Sequence, residues 1–338
     1  MLSLVGIGGA GCKVVETFYR KDFLSSIISK LVFKGENFIR GVAIDTSEAI
    51  TKLNSIPPEN RVLIGSSRAK GHGTGGDVKL GETIMVEELE LAMNAIRKVN
   101  TEKPEVFFLI AGLGGGTGTG GFPIIAEKIK KTYGVPLIGV LFFPSKTEGT
   151  LYIKNAILNL ERIIKSVDGR IILDINTLTN RGEDIISSHT IINKMLLNFF
   201  NIIEPVEILK IVKGEVATVG YMRVQEEKAS IKDMLEKMLR DYIYVNIEEM
   251  EKIYLLIYGD LDRVYGESYA RKWCSERYNA KLHINFKDEP GLKYINLGAI
   301  ITGLKDMGKK YMDEILAREK KEKKSELEEL LSEIEPLM

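Results

Sequence analysis

The stretch FFLIAGLGGGTGTGGFPIIAEKIKK, residues 107–131, sets seven glycines and two threonines between an apolar run and an amphipathic one. Glycine loses more conformational freedom on folding than any other residue and contributes no side chain to a core. A plain turn from strand to helix needs one or two of them. Crowded like this, they mark a place where the backbone must come close to something.

The surroundings narrow what that something is. Over residues 1–180, short β-rich runs alternate with longer helical patterns: LSLVGIG, FIRGVAID, EVFFLIAG, VPLIGVLFF and RIILDIN are separated by helix candidates at 12–30, 79–98, 121–131 and 152–166. Continuous apolar strands alternating with helices predict a doubly wound α/β fold, a parallel sheet covered on both faces. Ligands in such sheets sit off the carboxyl ends of the strands. Each Gly-rich or polar loop here follows a strand, so the loops line one edge. A helical pattern apolar nearly all round, at 184–203, predicts a central helix buried between layers. Residues 204–305 mix strands with at least two helices, a smaller α+β domain, and 306–338 form a charged helical tail. The expected domains are therefore 1–183, 184–203, 204–305 and 306–338.

Composition removes several function classes. The 338 residues carry 47 Lys and Arg against 47 Asp and Glu, so no net field draws the chain to nucleic acid or an acidic membrane. Cys12 and Cys274 are too few for a disulfide scaffold. No apolar stretch approaches the ~18 residues of a membrane span. The expectation is a cytoplasmic protein without a transmembrane segment.

Two segments carry chemistry. GIGGAGCK, residues 6–13, satisfies G-x-G-x-x-G between a strand and a helix, where glycines let a phosphate approach a helix N-terminus. An NAD-type site also needs an acidic residue about 20 positions on, and Asp45 lies much later. The second segment, 114–120, is another phosphate-type loop on a different strand: backbone N–H groups make an anion nest and the threonine hydroxyls add donors. Two such loops at one sheet edge predict a polyphosphate held from two sides, and neither has Walker spacing. The alternative for the second is glycine used only for packing.

GGGTGTG resembles the signature of the tubulin/FtsZ superfamily, in which it clamps the phosphates of GTP. With GIGGAGCKVV, RVLIGSSRAKGHGTGGD, AGLGGGTGTGG and EGTLYIKNA, the chain looks most like the archaeal CetZ group of tubulin-like proteins, over about residues 1–305. The resemblance implies GTP/GDP as ligand, Mg²⁺ as cofactor, and polymers of head-to-tail subunits that control cell shape. An FtsZ-like division protein is the near variant. It assigns the phosphates to Gly9, Ala10, Gly11, Cys12 and Lys13 and to Gly115, Gly116, Thr117, Gly118 and Thr119. It makes GHGTGGD, residues 71–77, the loop that senses the γ-phosphate, with Asp77 toward the Mg²⁺ hydration shell. Glu148 falls to the ribose, Asn176 and Asn193 to the base, and His189, one helical turn before Asn193, to stacking on it. An amide offers donor and acceptor together, which suits guanine's edge. Cys12 also reads as a small packing residue and His189 as a solvated or core histidine.

In this superfamily hydrolysis is completed by acidic residues of the neighbouring subunit, in an N-x-D-x-x-D pattern in FtsZ. Here Ile202, Glu204 and Glu207 fall on those positions, which makes the two glutamates the implied catalytic pair and Ile202 a departure. The alternative is two ordinary acids at a helix start, where they suit the dipole. Leu327, Leu330, Leu331 and Ile334 in the tail form an apolar stripe fit to dock a partner. The rival class is an NAD-type Rossmann oxidoreductase, which has no use for Glu148, Asn176 or Asn193. A nucleotide-binding scaffold that scarcely hydrolyses is a third reading, kept by Ile202.

Overall fold

The structure, a computed structural model, describes residues 2–20, 39–245, 247 and 250–304. The far part of the helix expected at 12–30 and the whole tail with its leucine stripe lie outside these residues. Met1–Lys305 is one compact unit. Its strands are β1 (Leu2–Ile7), β2 (Ile39–Asp45), β3 (Arg61–Leu63), β4 (Phe107–Gly112), β5 (Leu137–Phe143), β6 (Gly169–Asp174), β7 (Val216–Val224), the two-residue β8 (Ala229–Ser230), β9 (Lys252–Gly259), the two-residue β10 (Val264–Tyr265), β11 (Lys281–Asp288) and β12 (Ile295–Thr302). The described helices longer than one turn are α1 (Gly8–Tyr19), α2 (Val78–Glu87), α3 (Leu89–Val99), α4 (Gly116–Tyr133), α5 (Thr150–Ser166), α6 (Ile185–Ile202), α7 (Pro205–Val212), α8 (Ile231–Asp241) and α9 (Glu267–Tyr278).

All strands except β8 and β10 join one sheet in the order β11-β9-β12-β7-β6-β5-β4-β1-β2-β3. From β3 to β6 the pairing is parallel. β1 and β5 are buried along their whole length, as their unbroken apolar runs require when helices cover both faces. The order 3-2-1-4-5-6 reverses between β1 and β4, so the connections leaving these neighbours turn to opposite faces and open a crevice at the carboxyl edge. β7 extends the sheet through only two parallel pairs, Arg170 with Val216 and Ile171 with Ala217. Beyond it β12 runs antiparallel to β7 and to β9, and β11 parallel to β9.

Helix α6 crosses the back of this seam. Asp184 caps it by accepting from Ser187 N at 2.9 Å, and Ile192, Leu196, Phe199 and Phe200 are buried. Phe200 meets Phe108 of β4 edge-on at 4.8 Å and Phe18 of α1 at 5.7 Å, which ties the helix to the N-terminal half. No helix among the described residues is long and apolar enough to cross a membrane.

Three local features differ from expectation. The helix expected at 79–98 is two helices, broken at Glu88. β3 is too short for any periodicity to reveal. Most informative, α4 starts at Gly116, inside the glycine run rather than at 121. Its glycines are there because α2 packs backbone to backbone against it. A Cβ on Gly116 would lie 2.3 Å from the Asp77 carbonyl oxygen, one on Gly120 2.2 Å from that of Val78, and one on Gly81 2.2 Å from that of Gly116. Packing thus accounts for much of the run, and phosphate binding can claim only the rest.

This division is testable. Gly120→Ala should destabilise the protein by about 2–3 kcal/mol, the scale of overpacking against backbone that cannot move aside. Gly115 has no atom within 4 Å of a built Cβ, and its φ of −70° and ψ of 155° are open to any residue. Gly115→Ala should cost less than about 1 kcal/mol, the scale of losing a glycine N-cap. Urea unfolding reads both, and equal costs would contradict the assignment.

Candidate functional site

The segments after β1 and β4 meet across the crevice at the switch point. A Cβ on Gly8 would come within 3.0 Å of Gly118 N, and one on Gly11 within 2.2 Å of the Ile110 carbonyl oxygen. Most of both segments is buried by this contact. What stays open is Gly9 and Lys13, exposed, with Ala10 and Gly115 half-buried. Gly115 caps α4, whose first N–H groups and dipole favour an anion at that point. Cys12 turns inward: it is 1% exposed and its thiol donates to the Ile44 carbonyl at 3.4 Å, so its side chain packs.

The two threonines hold loops together. Thr117 Oγ1 lies 2.6 Å from Thr46 Oγ1 and 3.4 Å from Thr74 Oγ1, and Thr119 Oγ1 accepts from Gly114 N at 2.8 Å. Thr46 follows Asp45, a residue that sequence reasoning weighed only against the NAD spacing. Asp45 is 5% exposed, accepts from Thr46 N at 2.8 Å, and is pushed by burial from its ordinary 3.8 up to about 6. One signal did point to it: a polar residue at the carboxyl end of a parallel strand lies at the ligand edge.

Of the residues expected at ribose and base, Glu148 and Asn176 follow β5 and β6 on that edge, and His189 and Asn193 lie on α6. Glu148 Oε1 accepts from Ser145 N at 2.7 Å, closing a capping box, and burial raises its carboxyl. Asn176, 2% exposed, is engaged within the chain. Its Oδ1 accepts from Lys146 N at 2.7 Å and its Nδ2 donates to Pro144 O at 2.9 Å and Asp174 Oδ1 at 2.8 Å. It therefore fixes the loop that carries Glu148. Asn193 is different. It is 5% exposed and its Oδ1 has no hydrogen-bond partner among the described residues. A buried acceptor left unsatisfied costs about 1–3 kcal/mol, which a bound donor would recover. The His189 ring lies 5.8 Å from the Phe142 ring, tilted 34°. Burial, with the charge of Lys13 nearby, lowers His189 from 6.5 to about 4, so the ring is neutral at pH 7. That coupling brings the segment after β1 and the head of α6 to one place.

Asp77 caps α2, its Oδ1 accepting from Leu80 N at 2.9 Å. Among the described residues no three His, Cys, Asp or Glu side chains gather as a metal cage, an arrangement that Mg²⁺ bound mainly through water and phosphate does not need. The acidic pair lies elsewhere. Ile202 ends α6 and is 3% exposed, packed where a Cβ on Gly298 would come within 2.8 Å of it. Glu204 is exposed at the N-cap of α7, and Glu207 lines a cavity of about 270 Å³ against β9, β11 and β12. At 1.5 Å per residue, the stretch of α6 from His189 to Ile202 separates the two ends by roughly 20 Å.

A family model described as Tubulin/FtsZ family, GTPase domain, matches residues 2–182. The chain belongs to this family. Tubulin-like protein CetZ1 of Haloferax volcanii is 33% identical over 60% of the chain and 49% of its own length, so the chain spans about half of that relative. The CetZ protein of Pyrococcus furiosus is 29% identical over 97% of the chain and 94% of its own. Among solved structures, CetZ1 from Haloferax volcanii as a GDP-bound monomer superposes with a TM-score of 0.77 at 26% identity, covering 94% of this chain and all of that one. CetZ2 from the same organism, a GTPγS-bound protofilament, has the same fold, with a TM-score of 0.74 at 23% identity over 96% of this chain and all of that one.

The neutral His189 has a pH consequence. Between pH 6.5 and about 4 the unfolded chain binds a proton there that the native state refuses, so stability falls as pH falls. Asp45, shifted upward, gives the opposite slope, but it is shared by wild type and variant and cancels in their difference. Across this window the wild type should lose about 2 kcal/mol more than His189→Gln, after allowance for partial solvent screening. Urea unfolding at each pH checks it; parallel curves would contradict a buried, neutral ring.

Proposed function

We propose that this protein is a tubulin-like cytoskeletal GTPase of the cytoplasm that binds GTP and GDP and assembles head to tail into filaments, with a part in cell-shape control. The observation that carries the reading is the meeting of two glycine segments at the switch point, with the unsatisfied Asn193 acceptor one helical turn from His189, whose ring feels the charge of Lys13. Gly9, Ala10 and Lys13 would hold the phosphates from one side, and Gly115 with the first N–H groups of α4 from the other, while Gly11 serves the packing of α1 on β4. Glu148 suits a ribose hydroxyl, and Asn193 Oδ1 suits the N–H groups of guanine. His189 would lie on the base as a neutral ring. Asn176 acts one step removed, by holding the Glu148 loop.

Mg²⁺ takes oxygen ligands and keeps its waters. Asp77 and the buried Asp45 are oxygen donors suited to it. Bound there with the nucleotide it would neutralise phosphate charge. The NAD-type reading leaves the guanine-suited acceptor of Asn193 without a use.

The distance along α6 makes the catalytic proposal one of two subunits. Glu204 and Glu207 are too far from the phosphate segments of their own chain, so they would act on the nucleotide of the next subunit, orienting the attacking water. A head-to-tail contact of this kind is heterologous and propagates as an open filament. Ile202 is committed to the core and offers the site nothing, which leaves the two glutamates to carry the reaction. With GTP and Mg²⁺, sedimentation should show polymer above a critical concentration. Glu204→Gln and Glu207→Gln should retain nucleotide and still polymerise while turnover falls by roughly one to four decades, the range around loss of a water-orienting base. Wild-type turnover by both variants in assembled polymer would sink the catalytic assignment, and a protein monomeric under all conditions would sink the filament.

A further inference from the structure

Asparagine is a poor residue for a helix interior because its side chain competes for backbone hydrogen bonds. Asn155 nevertheless sits within α5, a helix of 17 residues, one turn after Leu151. Its side chain does not bond back onto its own helix. Nδ2 donates one proton to the Gly76 carbonyl at 2.7 Å and the other to the Gly114 carbonyl at 2.9 Å. The two acceptors belong to different loops: Gly76 ends the 71–77 loop, and Gly114 stands before the N-cap of α4. Both have left-handed backbones, φ 84° and 103°, and neither offers a side chain by which it could be held.

The two ends of the 71–77 loop are secured differently. Its first half is tied to the segment after β2: Glu48 N donates to Gly71 O at 2.8 Å and Gly73 N to Thr46 O at 3.3 Å. In its second half Gly76 rests on α5, where it meets Leu151 and Asn155. Gly114 has further ties of its own: its N–H bonds Thr119, and its neighbour Leu113 N donates to Phe142 O at 2.8 Å. Thr74 and Asp77 are anchored on either side, Thr74 to Thr117 at 3.4 Å and Asp77 through its cap on α2, so removing the Asn155 amide leaves the 114–116 segment largely in place and loosens Gly75 and Gly76 between those anchors.

We propose that Asn155 is a positioning residue that locks the 75–77 end of the γ-phosphate loop to the phosphate-holding segment, and so sets how well the site distinguishes nucleotides with a terminal phosphate from those without. The inference rests on the guanine-nucleotide reading above. It acts through the two loops and touches no ligand itself. Preorganised loop N–H groups bind an added phosphate without first having to be ordered, and the discrimination is lost when that ordering must accompany binding.

The test uses the full chain, with Asn155→Ala to remove the amide and Asn155→Gln to keep the donor on a longer stem. In the protein without nucleotide, hydrogen exchange at 75–77 should quicken in Asn155→Ala and return toward wild type in Asn155→Gln. Exchange unchanged in Asn155→Ala overturns the lock. In calorimetric titrations Asn155→Ala should bind GDP within about twofold of wild type and GTPγS about tenfold more weakly, the scale of one or two lost hydrogen bonds. Asn155→Gln should recover most of that loss. A residue that only steadied the helix would lower both affinities together, so a wild-type ratio of GTPγS to GDP affinity in Asn155→Ala overturns the positioning role. If the wild type binds neither nucleotide, the GTPase reading fails and the discrimination role with it, while the exchange result still decides whether the lock exists.

Discussion

The carboxyl edge of the sheet is arranged around close approaches of backbone on backbone that only glycine permits. Gly116 and Gly120 on α4 let α2 lie against it, while Gly81 returns the contact from the other side. Gly11 seats α1 against the carbonyl of Ile110 in β4. None of these contacts survives a methyl group. Because they hold, the open ends of α1 and α4 stand side by side at the point where the strand order reverses. Loops from β2, β5 and β6 then close around the same crevice. What the packing leaves open there is Gly9 and Lys13, exposed, with Ala10 and Gly115 half-buried, while on α6 the Asn193 oxygen has no hydrogen-bond partner among the described residues.

Particular residues show what the sequence makes legible. The strands of the N-terminal half are readable because burial on both faces demands unbroken apolar runs, as in LIGVLFF. The core helix α6 is readable because residues such as Phe199 and Phe200 leave it little polar face. The start of α4 is not, since glycine opposes helix formation locally and only the tertiary contact with α2 overrides it. Asn176 and Asn193 look alike in the sequence, yet one amide is spent on its own loop and the other keeps an unsatisfied acceptor. That difference depends on Pro144, Lys146 and Asp174 arriving in the right places. The pairing of Thr46 with Thr117 and the bridge made by Asn155 are likewise non-local, and no spacing rule announces them.

The molecule is also divided along α6. The end nearer Lys13 carries His189 and Asn193, and the far end carries Ile202 and the approach to Glu204 and Glu207. A buried isoleucine at the far end, packed toward Gly298, shows one position of the FtsZ-like pattern given over to the core. Of the remaining acids, Glu204 is exposed and Glu207, half-buried, lines a cavity.

The central claim is that the switch-point crevice is a guanine nucleotide site, and the most direct measurement is the nucleotide that the purified protein carries. Gentle purification, acid extraction and chromatography should recover GDP or GTP from the wild type. In competition titrations GTP should displace it far better than ATP. Asn193→Leu should narrow that preference by about 1–3 kcal/mol, the cost of the lost acceptor. Recovery of NAD or an adenine nucleotide, or equal displacement by ATP and GTP, would contradict the account.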